Sequence, residues 1–172
     1  MNYHNITKDD MNNGDGIRVV LWVAGCEHHC PECQNEQTWD YDSGIPFDQK
    51  ALDELREELS KDYVSGITLS GGDPLAPKNR REVADIIYWV RNNFPNKTIW
   101  VYTGYIYELL SFIAGTFGES TYSILKDIDV LVDGRYNKDL RDVNLKWRGS
   151  SNQRVIDVQK SLSTRNIVLH CD

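Results

Sequence analysis

The chain has 172 residues, of which 40% are hydrophobic and 26% are charged, and its formal net charge is −7. This composition predicts one globular domain over residues 1–172 and excludes a disordered chain. The acidic balance, with no block of Lys and Arg, argues against a nucleic-acid partner, and no apolar run approaches the roughly 20 residues that a membrane-spanning helix needs.

The first predicted elements follow an N-terminal segment, residues 1–16, that is too polar for a secretory signal. A cytoplasmic protein with reduced thiols is therefore expected. Residues 17–24, IRVVLWVA, form a β-branched and aromatic run that is typical of a buried strand. A cysteine-rich loop separates this strand from residues 47–61, where Asp48 can cap an amphipathic helix.

The alternation of strands and helices continues towards the C-terminus. The pattern predicts strands at 65–70, 97–102 and 127–132, helices over about 79–93 and around 107–114, and two further strands at 154–158 and 166–170. Such alternation is typical of an α/β fold with right-handed crossovers. Because a complete eight-fold barrel needs about 250 residues, we expect an open partial (β/α) barrel with a mainly parallel sheet. The site should lie at the C-terminal ends of its strands.

Three cysteines follow the first predicted strand in the segment GCEHHCPECQN: Cys26, Cys30 and Cys33. Thiolates suit either zinc or an iron–sulfur cluster. A closed zinc site needs a fourth protein ligand, which would have to be His28 or His29. A cubane cluster on three thiolates instead keeps one iron open for a small molecule. The spacing favours the iron–sulfur cluster, with both histidines then facing solvent, and zinc stays as the alternative.

Three other unusual loops follow predicted strands: GGDP at 71–74, TGY at 103–105 and DGRY at 133–136. Gly71 and Gly72 have no Cβ, so their backbone can approach a ligand closely. Each loop alone is also compatible with an ordinary turn. Since the C-terminal ends of parallel strands meet at one rim, we expect all three loops and the cysteines to surround one site.

The remaining conspicuous residues have plainer interpretations. Arg18, Trp39 and Trp100 are expected to pack or to lie on the surface. The segment WRGSSNQR at 147–154 predicts a solvated loop or a binding loop. Cys171 is expected to be a thiol at a loose chain end.

The cysteine motif, followed by the GGDP segment, resembles the radical S-adenosylmethionine enzymes. Within that superfamily, the chain between Asn13 and Asn152 resembles the family of proteins that activate anaerobic ribonucleoside-triphosphate reductase. The matching segments are NGDGIRVVLWVAGC, CQNEQTW, LSGGDPL, WVYTGY, VLVDGRY and WRGSSNQ.

The resemblance implies a [4Fe–4S] cluster on Cys26, Cys30 and Cys33, with S-adenosylmethionine chelating the fourth iron. The GGDP segment is expected to hold the methionine amino group, and the residues flanking the third cysteine are expected near the nucleoside. The cofactor-binding residues that it implies are Glu32, Gln34, Gly71, Gly72, Asp73, Thr103 and Asn152. No side chain of the chain is implied as a catalytic acid, base or nucleophile.

The resemblance also implies the reaction. Reduction of the cluster would cleave the cofactor to methionine and a 5′-deoxyadenosyl radical, which takes a hydrogen atom from a glycine of the large reductase subunit. The implied electron source is a low-potential donor such as reduced flavodoxin. Two alternatives stay open: another small radical S-adenosylmethionine enzyme, acting on a different glycyl protein or a small molecule, and a zinc-stabilised interaction module without catalysis.

Overall fold

The computed structural model describes residues 1–117 and 124–171. Its strands are β1 Asn2–Asp10, β2 Ile17–Val23, β3 Ile45–Pro46, β4 Val64–Gly71, β5 Thr98–Tyr102, β6 Val130–Asp133, β7 Arg154–Asp157 and β8 Leu169–Cys171. Its helices include α1 Gln49–Leu59, α2 Arg80–Asn93, α3 Tyr107–Phe117 and α4 Val158–Thr164. None of the helices in the described ranges is long and apolar enough to cross a lipid bilayer.

The strands form one mixed sheet of eight strands in the order β3-β1-β2-β4-β5-β6-β7-β8. The four central strands, β2, β4, β5 and β6, run parallel. The flanking pairs β1–β2, β1–β3, β6–β7 and β7–β8 are antiparallel. The expected α/β fold with a parallel centre is therefore confirmed. The expected partial barrel is not, because β3 and β8 stay at opposite edges of an open sheet.

One face of the sheet packs against the helices to form the main core. Asp48 caps α1 as expected, accepting from the backbone N–H groups of Lys50 and Ala51 at 3.0 and 3.1 Å. The helix then buries Leu55 and Leu59 completely. The buried side of α2 consists of Val83, Ile86, Ile87 and Val90. Because side chains alternate along a strand, the neighbouring residues of β2, β4 and β5 face the other side.

Arg18 and Trp100 lie on that second side, which we call the inner face, and both are packing residues. The five N–H donors of Arg18 bind the carbonyl oxygens of Asp15, Ile67 and Thr98 and the hydroxyls of Thr68 and Thr98. Its guanidinium also lies 5.3 Å from the centre of the Trp100 ring. Burial lowers the pKa of Arg18 to about 10. The side chain thus ties three parallel strands together.

Cys171 is not at a loose end, and that expectation is wrong. It belongs to β8, where it pairs with Val155 of β7. Its side chain packs against the inner-face cluster that contains Trp100. The last described strand is therefore held in the sheet by both its backbone and its side chains.

Arg154 joins the end of β6 to the start of α3. Its Nη1 and Nη2 donate to the two carboxylate oxygens of Glu108 at 2.9 and 2.8 Å, and its Nε donates to Asp133 at 3.0 Å. Asp133 also accepts from the backbone N–H of Tyr107 at 2.8 Å. The hydrogen bond from Arg154 lowers the pKa of Glu108 to about 2.

Replacing Glu108 by Gln is expected to reduce stability only where the carboxylate is ionised. A carboxyl group whose folded pKa is depressed stabilises the protein above its unfolded pKa of about 4.3, and that stability is lost as the pH falls towards 2. Because the Glu108 side chain is 53% exposed, we expect a loss below about 1 kcal/mol. Urea unfolding between pH 2 and 7 should show a difference that shrinks below about pH 4. A constant difference would contradict the assignment, and Glu57→Gln is the control.

Candidate functional site

The cysteine loop, residues 24–35, follows the C-terminal end of β2. Its backbone N–H groups bind the segment that follows the loop. The N–H groups of Gly25 and Cys26 donate to the carbonyl oxygens of Thr38 and Trp39 at 2.7 and 2.9 Å. Cys26, Cys30 and Cys33 are reduced thiols, each partly exposed. Burial raises the pKa of Cys26 to about 11 and also raises that of Cys30.

All three cysteines line one cavity of about 140 Å³, which we call the cysteine cavity. The same cavity is lined by residues 70–73 at the end of β4, 102–104 at the end of β5, and Gly134 and Tyr136 after β6. The expected convergence of four loops on one rim is therefore confirmed. It arises because the parallel strands of the sheet all end on this side.

Asp73 is the centre of the hydrogen bonds that join these loops. Its side chain is 2% exposed. Oδ1 accepts from the N–H of Leu75 at 2.8 Å and from the hydroxyl of Thr103 at 2.9 Å. Oδ2 accepts from the N–H of Gly104 at 3.0 Å and lies 2.8 Å from Nε2 of His28. One buried carboxylate thus connects the ends of β4 and β5 to the cysteine loop.

His28 fills the space between the cysteine loop and the end of β5. Its side chain is 5% exposed, so the expectation that it faces solvent is wrong. Nδ1 accepts from Nε of Arg135 at 3.0 Å. Because a guanidinium can only donate, this contact requires the tautomer with hydrogen on Nε2, which then donates to Asp73. A Cβ on Gly104 would lie 2.3 Å from Cδ2 of His28, so the ring needs glycine at that position.

Residues 12–156 match the family model described as a 4Fe-4S single cluster domain. The chain is 44% identical over 155 residues to the anaerobic ribonucleoside-triphosphate reductase-activating protein of Enterobacteria phage T4, which covers 90% of this chain and 93% of that protein. The chain belongs to this family of activating proteins. It is also 41% identical over 157 residues to the protein of that name from Escherichia coli (strain K12), covering 90% and 97% of the two chains. The corresponding protein of Pasteurella multocida is 39% identical over 155 residues, with 89% and 95% covered.

The donor set suits the four-iron cluster of this family better than a single zinc ion. Both ring nitrogens of His28 are engaged, and the ring of His29 packs on Trp39 with the centroids 4.7 Å apart. In residues 1–117 and 124–171, no group of three or more His, Cys, Asp or Glu side chains is placed to hold one metal ion. A cubane instead binds each thiolate to a different iron, so the thiolates need not converge on one point.

Trp39 supplies a second sign of fit. The residue lines the cysteine cavity, and its buried Nε1 has no hydrogen-bond partner among the described residues. Leaving a buried donor unpaired is costly. Cluster sulfurs accept hydrogen bonds, so a bound cluster can satisfy an N–H group in this wall.

The cofactor-binding residues implied by the resemblance fall into two groups. Gly71, Gly72, Asp73 and Thr103 line the cysteine cavity. Glu32, Gln34 and Asn152 are outside its lining. The carboxylate of Glu32 lies 3.1 Å from Nζ of Lys138, Gln34 lines a neighbouring cleft, and Nδ2 of Asn152 donates to the carbonyl of Arg135 at 2.8 Å.

Tyr102, Tyr136 and Gln153 also line the cavity, although none of them was predicted individually as a cofactor-binding residue. Gln153 also closes its own loop, because its Oε1 accepts from the N–H of Gly149 at 3.0 Å and its Nε2 donates to the carbonyl of Gly134 at 2.9 Å. Each of the three residues lies inside a segment that carries the family resemblance. The spacing alone did not single them out.

Gly71 and Gly72 let the end of β4 lie directly against the cysteine loop. The N–H groups of Gly72 and Asp73 each donate at 2.8 Å, to the carbonyls of Val23 and Gly25. A Cβ on Gly72 would lie 2.5 Å from the carbonyl oxygen of Gly25. A side chain at position 72 therefore meets the backbone of the cysteine loop.

Replacing Gly72 by Ala is expected to displace Gly25 and to destabilise the apo-protein by about 1–3 kcal/mol, the usual cost of overpacking. Urea unfolding measures the stability, and iron analysis after reconstitution should show less bound iron than in the unmodified protein. Gly149→Ala is the milder comparison, because its Cβ would lie 3.2 Å from a movable ring atom of Tyr136. Equal stability and iron content for Gly72→Ala would contradict the tight contact.

Proposed function

We propose that the chain activates anaerobic ribonucleoside-triphosphate reductase as a radical S-adenosylmethionine oxidoreductase. It cleaves S-adenosylmethionine reductively at a [4Fe–4S] cluster and abstracts hydrogen from a glycine of the reductase, which leaves a glycyl radical. The observation that carries this proposal is the cysteine cavity, where Cys26, Cys30 and Cys33 meet the ends of three parallel strands. Membership of the family of activating proteins supports the same reaction.

In this proposal the three cysteines hold the cluster through one thiolate each. When bound and reduced, the cluster supplies the electron that breaks the carbon–sulfur bond of S-adenosylmethionine. Gly71 and Gly72 offer backbone without a Cβ at the cavity wall and receive the methionine end. Asp73 and Thr103 keep that backbone and the cysteine loop in place through their shared hydrogen bonds.

The remaining residues contact the nucleoside or line the cavity. Glu32 has a positive φ of 58° and an outward carboxylate, so it contacts the nucleoside through its backbone. Gln34, which lines the neighbouring cleft, and Asn152, which donates to the carbonyl of Arg135, bind the nucleoside. The rings of Trp39, Tyr102 and Tyr136 line the cavity and keep water from the reacting atoms. A low-potential donor such as reduced flavodoxin delivers the electron.

Anaerobic reconstitution with iron and sulfide, followed by reduction in the presence of S-adenosylmethionine, tests the proposal. The expected result is iron-dependent release of 5′-deoxyadenosine, and with the reductase added, a glycyl radical in the EPR spectrum. A protein that binds zinc tightly, takes up no iron and releases no 5′-deoxyadenosine would overturn the assignment. Cleavage without a glycyl radical would instead indicate a different hydrogen donor.

A further inference from the structure

A second cleft, of about 330 Å³, adjoins the cysteine cavity, and we call it the side cleft. It is lined by Asn12 and Asn13, in the loop before β2, and by seven residues of the segment 141–149. Gln34 lines the side cleft next to the third cysteine, and Tyr102 lines both spaces. A chain lying in the side cleft would therefore reach the cysteine cavity directly.

Two guanidinium groups in the side cleft lack a hydrogen-bond or ion-pair partner among the described residues. In the part of the chain that the structure describes, the side chains of Arg141 and Arg148 make neither a hydrogen bond nor an ion pair, and Nε of Arg148 is buried. Asp142 forms no ion pair with either arginine among the described residues, and its Oδ1 accepts from the N–H and Nδ2 of Asn144 at 2.8 and 3.0 Å. By contrast, Arg154 is paired with carboxylates. A buried, unpaired donor is costly unless a ligand satisfies it.

The segment that carries these arginines is held in place by a backbone bridge and hydrogen bonds. Arg141 forms an antiparallel bridge with Ser150, and the N–H of Asp142 donates to the carbonyl of Gly149 at 3.3 Å. The hydroxyl of Ser150 accepts from the N–H of Asn137 at 3.1 Å. Both arginines therefore belong to a loop whose backbone is already fixed, so binding a partner would cost little backbone entropy.

Apolar side chains beside the arginines favour a protein segment over a small anion. Val143 lines the side cleft and is 80% exposed, and Leu145 and Trp147 line it as well. Exposed apolar groups next to cations are typical of surfaces that bind a protein partner. Guanidinium groups pair best with carboxylates, in bidentate geometry.

We propose that the side cleft receives the reductase segment that carries the target glycine, and that Arg141 and Arg148 pair with an Asp or Glu side chain of that segment. This inference rests on the proposed function, because it names the docking site for the same hydrogen donor. The side cleft leads to the cysteine cavity, so a segment held at the arginines places its neighbouring residues beside Tyr102 and the cysteines.

The test uses the reconstituted full chain with Arg141→Ala and Arg148→Ala combined. The first measurement is 5′-deoxyadenosine release with S-adenosylmethionine and reductant but no reductase, which should stay within about twofold of the unmodified protein because neither arginine lines the cysteine cavity. The second is glycyl radical yield against reductase concentration. The half-saturating concentration should rise at least about tenfold, as expected for losing charge-assisted hydrogen bonds.

Two further variants sharpen the result. Arg81→Ala, which removes an exposed arginine from α2 on the other side of the sheet, is the matched control and should change neither measurement. Arg148→Gln keeps hydrogen-bond donors but not the charge, and it covers the case in which the double variant folds poorly. Raising the salt concentration should weaken reductase binding by the unmodified protein more than by the double variant, because salt screens a charge pair that only the unmodified protein can form.

Each outcome decides a different question. If the double variant and Arg148→Gln saturate at the same reductase concentration as the unmodified protein, the side cleft is not the docking site and the proposed function stands. If the unmodified protein itself releases no 5′-deoxyadenosine, the proposed function is wrong and the docking inference is overturned with it.

Discussion

Replacing Cys30 by Ala is expected to reduce cleavage of S-adenosylmethionine by more than about 100-fold, because the loss of even an outer partner of a metal ligand costs 10–100-fold. Cys30 lies in the middle of the cysteine loop, and its thiol lines the cysteine cavity. Two remaining thiolates cannot hold the cluster in a defined orientation. The fold should survive, because the carbonyl of Cys30, which accepts from the N–H of Cys33 at 3.1 Å, is unchanged by the substitution.

Iron and sulfide analysis, the EPR spectrum of the reduced protein and 5′-deoxyadenosine release measure the loss. The melting temperature of the apo-protein should change by no more than about 2 °C, as for a substitution outside the core. Cys171→Ala is the matched control, since it removes a thiol from β8 and outside the lining of the cysteine cavity. Release of 5′-deoxyadenosine by Cys30→Ala at the unmodified rate would contradict a cluster held by these three cysteines.

The parallel centre of the sheet was predictable because its strands are buried on both faces. Continuous β-branched and apolar runs such as 17–24 and 97–102 are the signal of such strands. The antiparallel strand β1 was missed, since its sequence NYHNITKDD has only two apolar side chains, Tyr3 and Ile6, although both are buried. The short strand β3, with two exposed residues, gives no pattern at all.

The C-terminal elements show how a local pattern can mislead about boundaries. The run RVIDV predicted a strand over 154–158, but the strand ends at Asp157, whose carboxylate accepts from the N–H of Lys160 at 3.0 Å and caps α4. Val158 therefore begins a helix. An Asp inside an apolar run was the available signal for this N-cap.

In the candidate site as well, residues with a local spacing pattern could be predicted, whereas contacts between residues far apart in the sequence could not. The cysteines and the two glycines could be found because their spacing is written in a few adjacent residues. The contact between His28 and Asp73 spans 45 positions, so no local pattern could indicate it. The sequence therefore predicted the cysteines and glycines that line the cysteine cavity, whereas the hydrogen bonds that hold them in place required the fold.

Replacing Asp73 by Ala is expected to destabilise the apo-protein by about 3–5 kcal/mol, because four donors lose their acceptor and each buried donor left unsatisfied costs about 1–3 kcal/mol. The donors left without an acceptor are the N–H groups of Leu75 and Gly104, the hydroxyl of Thr103 and Nε2 of His28. Asp73→Asn should cost less, because it keeps one acceptor oxygen. It still costs some stability, because its amide group turns a new donor towards a backbone N–H. Asp85→Ala, at an exposed position on α2, is the control.

Hydrogen exchange of the apo-protein separates two roles for Asp73. If the carboxylate positions the cysteine loop through His28, amides at 26–33 should exchange faster in Asp73→Ala and also in His28→Ala. Because the two residues are in contact, the double variant should exchange little faster than Asp73→Ala alone. If Asp73 acts only by touching S-adenosylmethionine, the apo-protein should keep its stability and its loop protection, and only cofactor affinity should fall. The four donors already bound to the buried carboxylate make the first result the expected one.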